Sequence, residues 1–305
     1  MTAPQISAPP SSTDNLRAMG IMVISVIASS AMTLFVRELS QVMDTRLIVF
    51  YRAFLTMLVM IAIIAIIPAR RQAIRITRPA MHFWRGLAIA VSTHLGYFAI
   101  SRLELVTATV IFFSAPIFAA VFGAILHGER PGVRRITAIC VGFLGVLFVL
   151  RPGVVSFDPA MLAALSSSLL FGFALPLSRE VANADGTWSA YFSSLVVTVV
   201  VSLPIIIPIF TLPQTGMIAL LVILTTASGA TRSICDIRAY QLGEASVLAP
   251  VTYTRLIFIG IGGYLIFGEV PDQAALIGAA IIIGAALYIA RRQAIARRRR
   301  ALQKM

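Results

Sequence analysis

One arginine lies deep inside an apolar stretch, where a charged side chain must have a specific role. Arg255 is about ten residues into the apolar run 245–267, so it lies roughly 15 Å along a helix that rises 1.5 Å per residue. If this run crosses a membrane, a guanidinium at that depth costs several kcal/mol unless it faces water or a partner. We hypothesise that Arg255 binds an anionic group, such as a carboxylate, of a small solute. The alternative is a permanent pair with a neighbouring carboxylate or with backbone carbonyls.

Three residues just before Arg255 belong to the same candidate site. Thr252 is three positions earlier and so lies on nearly the same helix face. Pro250 removes one backbone hydrogen bond and can leave a carbonyl exposed to a cavity. Tyr253 lies between Thr252 and Arg255 and completes the group. Each of them fits simple helix packing equally well.

Polar residues in two other apolar runs extend the candidate binding set. Arg52 is some five residues inside the run 47–67, so its side chain either reaches out to the membrane surface or faces a binding site. Histidine titrates near neutral pH, so His94 is expected to serve either as a proton relay or as a neutral hydrogen-bonding group. Tyr97, on the same run as His94, is included in the set.

A second group of residues is predicted to have a gating or structural role. Arg232 and Asp236 are four positions apart and can pair along one helix face. Glu129 and Glu269 each follow a glycine at the end of an apolar run, where they are expected to fix a turn or a gate. Pro116 is expected to bend the run 105–127.

The composition indicates that most of this chain is embedded in a lipid membrane. Of its 305 residues, 59% are hydrophobic and 12% are charged, whereas soluble domains carry about 25% charged residues. The mean hydropathy is +0.93. Cys140 and Cys235 both fall in predicted spans, and no Cys/His spacing resembles a metal site, so neither a disulfide, a metal nor a cofactor is predicted.

The strongly basic balance is concentrated at one end of the chain. The net charge is +13, and seven of the basic residues lie in the C-terminal tail. These are Arg291, Arg292, Arg297, Arg298, Arg299, Arg300 and Lys304. A basic run directly after an apolar helix is typical of a cytoplasmic end that faces anionic lipid, so we expect lipid and not nucleic acid to be the partner.

Ten apolar runs predict an all-α membrane protein with ten transmembrane helices. They cover residues 18–36, 47–67, 81–100, 105–127, 133–150, 159–178, 189–210, 215–235, 245–267 and 273–290. With the N-terminus in the cytoplasm, only Arg37, Arg46, Arg102 and Arg151 fall in outer loops, so the positive-inside rule places both termini in the cytoplasm. Residues 1–16 are predicted to be a disordered cytoplasmic N-terminus and 293–305 a basic cytoplasmic tail.

The sequence repeats itself. A shift of 140 residues places Gly128-Glu129 on Gly268-Glu269, and a shift of 142 places Arg37-Glu38 on Arg179-Glu180. The halves, 17–151 and 152–292, then hold five spans each, so the second half must insert with the opposite polarity. Inverted repeats of this kind are typical of carriers that alternate access to a site near the midplane.

At this point the sequence resembles the EamA family of the drug/metabolite transporter superfamily. The resemblance is carried by the five-plus-five layout and by the segments 115–129, 264–269 and 278–292. It implies a multi-pass bacterial inner-membrane carrier of small organic metabolites with a central cavity between the halves. One departure is that Pro116 aligns with Leu256, while Pro250 aligns with Val110. From this we predict that the two halves break or bend their fourth spans at different depths.

The function predicted is therefore secondary transport, by alternating access, of a small anionic or zwitterionic metabolite. Because Asp236 is the only acidic residue clearly inside a span, exchange or uniport fits at least as well as proton coupling. The alternatives are a solute channel and a membrane-embedded enzyme, although no cluster of nucleophile, base or metal ligands near one interface supports an enzyme. Small residues four apart, Ala138 with Gly142 and Ala280 with Gly284, allow either a monomer or a homodimer.

Overall fold

The computed structural model describes residues 12–67, 74–126, 133–150, 158–242 and 245–302. Within those ranges the regular structure is entirely helical. The helices of the first half are α1 (Ser12–Leu39), α2 (Thr45–Ile66), α3 (Pro79–Arg102), α4 (Leu105–Phe112), α5 (Ala115–Leu126) and α6 (Val133–Leu150). Those of the second half are α7 (Pro159–Asp185), α8 (Thr187–Ile206), α9 (Gly216–Leu242), α10 (Ala245–Tyr253), α11 (Arg255–Phe267) and α12 (Gln273–Leu302).

Within the described ranges, seven segments are long and apolar enough to cross a membrane. They are Asp14–Leu39, Thr45–Ile66, Leu105–Leu126, Pro159–Asp185, Thr187–Ile209, Gly216–Ala239 and Val247–Phe267. Large apolar side chains point outward from them, such as Ile66 at 77% exposure and Leu265 at 73%. Such a surface is unfavourable in water and favourable in lipid. The chain is a multi-pass membrane protein.

The start of α1 differs from the prediction of a disordered segment over residues 1–16. The helix already begins at Ser12, so residues 12–16 are ordered, whereas residues 1–11 lie outside the described ranges. Hydroxyl and acidic side chains favour the first turn of a helix, and Asp14 lies in that turn. The polar composition that suggested disorder is thus a helix-start signal.

The packing relates the two halves by an approximate two-fold exchange. The helix α1 packs on α9, and the matching pair, α7 on α3, is also formed. The helices α2 and α8 pack on each other, as do α6 and α12. Exchanging the halves therefore returns each of these helix pairs.

The fourth span of each half is interrupted, between α4 and α5 in the first half and between α10 and α11 in the second. Ser114 lies at the first interruption and Thr254 at the second, and these positions are 140 residues apart. Each backbone N–H donates to the carbonyl three residues back, Ser114 to Ile111 and Thr254 to Val251. Each hydroxyl also donates to that carbonyl, at 2.6 Å in both halves.

The prediction that the two halves break at different depths was wrong. It relied on the prolines, but Pro250 lies within α10 and Pro116 is the second residue of α5, where proline is tolerated. The hydroxyl residues Ser114 and Thr254 mark the break instead, because their side chains compete for backbone carbonyls. The register of 140 residues therefore holds at the point where both spans change direction.

Small residues set the approach of α6 to its neighbours. A Cβ atom on Gly142 would lie 2.3 Å from Ile117 Cδ1, and one on Gly145 would lie 2.8 Å from Ile281 Cγ2. Gly142 is thus needed for packing inside the protein. Around Gly284, by contrast, no atom lies within 4 Å of the Cβ position.

Candidate binding site between the two halves

Arg255 begins α11, directly after the break, and reaches into the first half. Its Nη2 donates to Thr33 Oγ1 on α1 at 2.8 Å. The Thr33 hydroxyl itself donates to the Ser29 carbonyl at 3.0 Å, so towards Arg255 it only accepts. The Nε of Arg255 is buried and has no hydrogen-bond partner among the described residues. The guanidinium is therefore anchored across the two halves with one donor unused.

Arg52, on α2, also points inward. Its guanidinium carbon lies 5.6 Å from the ring centroid of Tyr97 on α3, within the range of a cation–π contact. The Nε of Arg52 and the hydroxyl of Tyr97 are both buried, and neither has a hydrogen-bond partner in the described part of the chain. Of the two interpretations offered for Arg52, extension to the membrane surface is wrong.

Gly229 on α9 makes room for Arg52. A Cβ atom at this position would lie 3.6 Å from both Cδ and Nη1 of Arg52 and 3.2 Å from Sδ of Met32. Met32 precedes Thr33, the residue that holds Arg255. Arg52 and Met32 are therefore both neighbours of Gly229, and Met32 is adjacent in the chain to the partner of Arg255.

A bulky side chain at Gly229 should block this site. We expect Gly229→Leu to lower saturable transport at least about tenfold, because its branched end would occupy the space of the Arg52 guanidinium. The matched control is Gly20→Leu, since nothing lies within 4 Å of the Cβ position of Gly20. Transport by membrane vesicles with equal amounts of inserted protein measures both variants. Equal rates for the two would show that Gly229 does not border the site.

Neither Arg52 nor Arg255 forms an ion pair with any residue in the described ranges. The nearby Arg232 does, since its Nε lies 3.5 Å from Oδ2 of Asp236 one turn along α9. The Ser25 hydroxyl donates to the same carboxylate. The charges of Arg232 and Asp236 cancel each other, whereas those of the two other arginines are uncompensated.

Arg85 shows what a satisfied buried arginine looks like in this fold. It is 7% exposed, and it donates from Nε to Ser178 Oγ at 2.7 Å. Its Nη1 donates to the carbonyl of Ala190 at 2.7 Å and to Ser194 Oγ at 2.8 Å. These partners lie on α7 and α8, so Arg85 ties α3 to both helices.

A second buried hydrogen-bond network surrounds His82 on α3, and it was not predicted from the sequence. His82 Nε2 lies 2.9 Å from Asp185 Oδ2, and His82 Nδ1 lies 2.7 Å from Ser193 Oγ. The Asp185 carboxylate also accepts from the backbone N–H and the hydroxyl of Thr77. The side chains of His82 and Asp185 are 4% and 0% exposed. The serines on α8, including Ser189, Ser193 and Ser194, are the feature of the sequence that could have indicated this network.

His94 is hydrogen-bonded to α8. Its Nε2 lies 2.9 Å from Ser202 Oγ on α8, and the Ser202 hydroxyl donates to the Thr198 carbonyl at 2.7 Å. Since that hydroxyl proton is already used, His94 Nε2 must be the donor. This bond links α3 to α8.

The residues just before Arg255 are only partly brought to the site. The Thr252 hydroxyl donates back to the Leu248 carbonyl at 3.2 Å. Tyr253 packs edge-on against Phe113, with ring centroids 4.9 Å apart, so an aromatic pair joins the two breaks. Pro250 and Pro116 are both exposed.

Glu269 connects the end of α11, in the second half, to the first half. The helix α11 ends at Phe267, and the φ of 68° at the following Gly268 is the left-handed conformation that glycine favours. The carboxylate of Glu269 then accepts from Arg37 Nη2 at 3.0 Å and from the backbone N–H of Leu105 at 2.7 Å. Arg37 also donates to the Ile100 carbonyl. Glu129, its equivalent in the sequence repeat, lies outside the described residues.

Loss of the Glu269 carboxylate should loosen this end of the protein. We expect Glu269→Gln to lower the free energy of unfolding by about 2 kcal/mol, because two hydrogen bonds to a charged group are weakened. Glu38→Gln is the control, since Glu38 is exposed and contacts only Gln41 at 3.5 Å. Thermal unfolding in detergent measures both. Identical melting temperatures would contradict a structural role for Glu269.

Comparison with known proteins matches this architecture. The EamA-like transporter family matches residues 16–151 and again residues 158–291. An S-adenosylmethionine uptake transporter of Rickettsia bellii is 28% identical, over 86% of this chain and 89% of its own length. The pseudopaline exporter CntI of Pseudomonas aeruginosa is 24% identical, over 85% of this chain and 92% of its own.

A more distant relative and a solved structure agree. The riboflavin transporter of Vibrio cholerae is 23% identical, over 72% of this chain and 76% of its own. One crystal structure, at 19% identity, superposes with a TM-score of 0.58 and covers 88% of this chain and 98% of its own, which shows the same fold. This chain belongs to the EamA-like transporter family.

Proposed function

We propose that this small-metabolite transporter crosses the bacterial inner membrane ten times and has both termini in the cytoplasm. Seven long apolar segments are present already. The 24-residue helix α3 and the shorter apolar segments Ile136–Leu150 and Gln273–Ile289 would add three. The domains would then be two inverted five-span halves, 17–151 and 152–292, which the two-fold exchange of helix contacts supports.

Transport proceeds by alternating access around the site that contains Arg52 and Arg255. The observation that carries this proposal is the hydrogen bond from Arg255 of the second half to Thr33 of the first. A site built from both halves changes shape when the halves rock against each other. Tyr97 and Arg52 of the first half, with Gly229 of the second, complete the same site.

The solute carries an anionic group. Arg255 holds a buried donor without a partner among the residues described, and a guanidinium binds carboxylates through two parallel hydrogen bonds. S-adenosylmethionine, named for the Rickettsia relative, contains an amino-acid carboxylate and is therefore one probe of the site.

Flux measurements on purified protein in liposomes test this proposal against a channel. A carrier gives saturable uptake that is accelerated when the same solute is present on the opposite side. An ohmic, unsaturable current would identify a channel instead. Reporter fusions at both ends of the chain test the topology, and a periplasmic C-terminus would contradict the ten-span arrangement.

A further inference from the structure

We propose that the solute bound between Arg52 and Arg255 is an organic dianion, a dicarboxylate with one carboxylate for each guanidinium. This inference rests on the carrier function proposed above and names the class of its substrate. It is drawn from the balance of charges and from the unused donors in the site.

The first step is the charge of the site. Arg232 is neutralised by Asp236, and Arg52 and Arg255 each add one positive charge without an acidic partner among the residues that the structure describes. The other carboxylates in described ion pairs are bound elsewhere. Asp44 pairs with Arg46, Glu180 with Arg78, Asp185 with His82 and Glu269 with Arg37. Two positive charges in a low-dielectric interior are unfavourable, and a ligand with two negative charges removes both penalties.

The second step is the set of donors. The Nε atoms of Arg52 and Arg255 are buried and have no partner in the part of the chain that the structure covers, and Nε with a terminal nitrogen forms the edge of a guanidinium that matches a carboxylate. Tyr97 adds a third donor, because its side chain is only 5% exposed and its hydroxyl has no partner in the described ranges. Arg85 has no such free edge, since its Nε and Nη1 are already bonded within the protein.

A zwitterion fits these groups less well than a dianion. An α-amino acid would need an acceptor for its ammonium group close to the arginines. Asp236 is an acidic side chain that, like Arg255, contacts α1, but its carboxylate already binds Arg232 and the Ser25 hydroxyl. An ammonium group would have to displace Arg232 or Ser25 from Asp236. A second carboxylate would instead bind an arginine that has no ion pair among the described residues.

Calorimetric titration of the purified full-length protein in detergent tests the inference. The probes are succinate and glutarate as dicarboxylates, butyrate as a monocarboxylate, and methionine and S-adenosylmethionine as ligands with an amino-acid group. We expect the dicarboxylates to bind with a Kd at least about tenfold lower than butyrate, the factor expected for one further charged contact. Arg52→Ala and Arg255→Ala should each abolish this preference, whereas Arg46→Ala, which removes an exposed arginine paired with Asp44, should retain it.

The outcomes separate this inference from the function on which it rests. Tighter binding of methionine or S-adenosylmethionine than of the dicarboxylates, lost in Arg255→Ala, would overturn the dianion and leave the carrier site in place. Absence of dicarboxylate binding at millimolar concentration would overturn it as well. If the binding and flux of every probe are unchanged in both alanine variants, the site itself is wrong.

Discussion

Replacing Arg255 with alanine should lower transport at sub-saturating solute by about 100-fold while the protein still inserts and folds. The loss of a charged hydrogen bond to a bound anion is worth about 3 kcal/mol, which corresponds to this factor. Arg255→Lys keeps the charge but loses the planar edge with Nε, so we expect it to recover only part of the rate. Uptake into vesicles, normalised to the amount of inserted protein, measures the effect.

Arg46→Ala is the control for this experiment. The Arg46 side chain is 44% exposed and forms an ion pair with Asp44 at the start of α2. A surface ion pair of this kind contributes little to stability. We expect its transport to stay within about twofold of the unchanged protein. Unaltered kinetics in Arg255→Ala would remove Arg255 from the binding site.

Replacing Arg85 with alanine should have the opposite profile and act mainly on stability. The variant loses three hydrogen bonds that join α3 to α7 and α8 and leaves a cavity, so we expect the free energy of unfolding to fall by about 3 kcal/mol. Arg255→Ala should melt at or above the temperature of the unchanged protein, because it removes a buried charge with an unused donor. Thermal unfolding of both variants in the same detergent makes the comparison.

A reversed result would be informative about the site. If Arg85→Ala melted like the unchanged protein but failed to transport, Arg85 would belong to the binding site. If Arg255→Ala unfolded more readily than Arg85→Ala, the guanidinium of Arg255 would be a structural element that joins the two halves.

The sequence could predict where charged residues interrupt apolar helices, but it could not predict which of them are satisfied. Arg52, Arg85 and Arg255 all appear as arginines inside apolar runs. They differ in partners that are far away in the chain, such as Ser178 and Ser194 for Arg85 and Thr33 for Arg255. Helix periodicity describes one helix at a time, so contacts between helices of opposite halves stay hidden from it.

The helix breaks show a second limit of reading the sequence. Proline is the strongest local signal for a bend, and it suggested different depths for the two halves. The structure places the breaks at Ser114 and Thr254, where a hydroxyl and a backbone N–H reach the same carbonyl. Serine and threonine are common inside helices of membrane proteins, so only the match of these two positions across the repeat distinguishes them.

The turn at the end of α11 could be predicted from the sequence only in part. The Gly268-Glu269 pair predicted a turn or a gate, and the turn is present in the left-handed conformation of Gly268. The partners of Glu269 could not be predicted, because Arg37 and the N–H of Leu105 are distant in sequence. A carboxylate at the end of one helix that caps the start of another is visible only after both helices are placed.

We infer that Arg52 and Arg255 have donors left for a ligand, whereas the donors of Arg85 are used within the protein. Mass spectrometry after treatment of the purified protein with a polar, arginine-specific dicarbonyl reagent measures this directly for all three residues at once. We expect modification of Arg52 and Arg255, protection of both by a bound dicarboxylate, and an unmodified Arg85. Modification of Arg85 as fast as Arg255, or no modification of Arg52 and Arg255 in the folded protein, would contradict it.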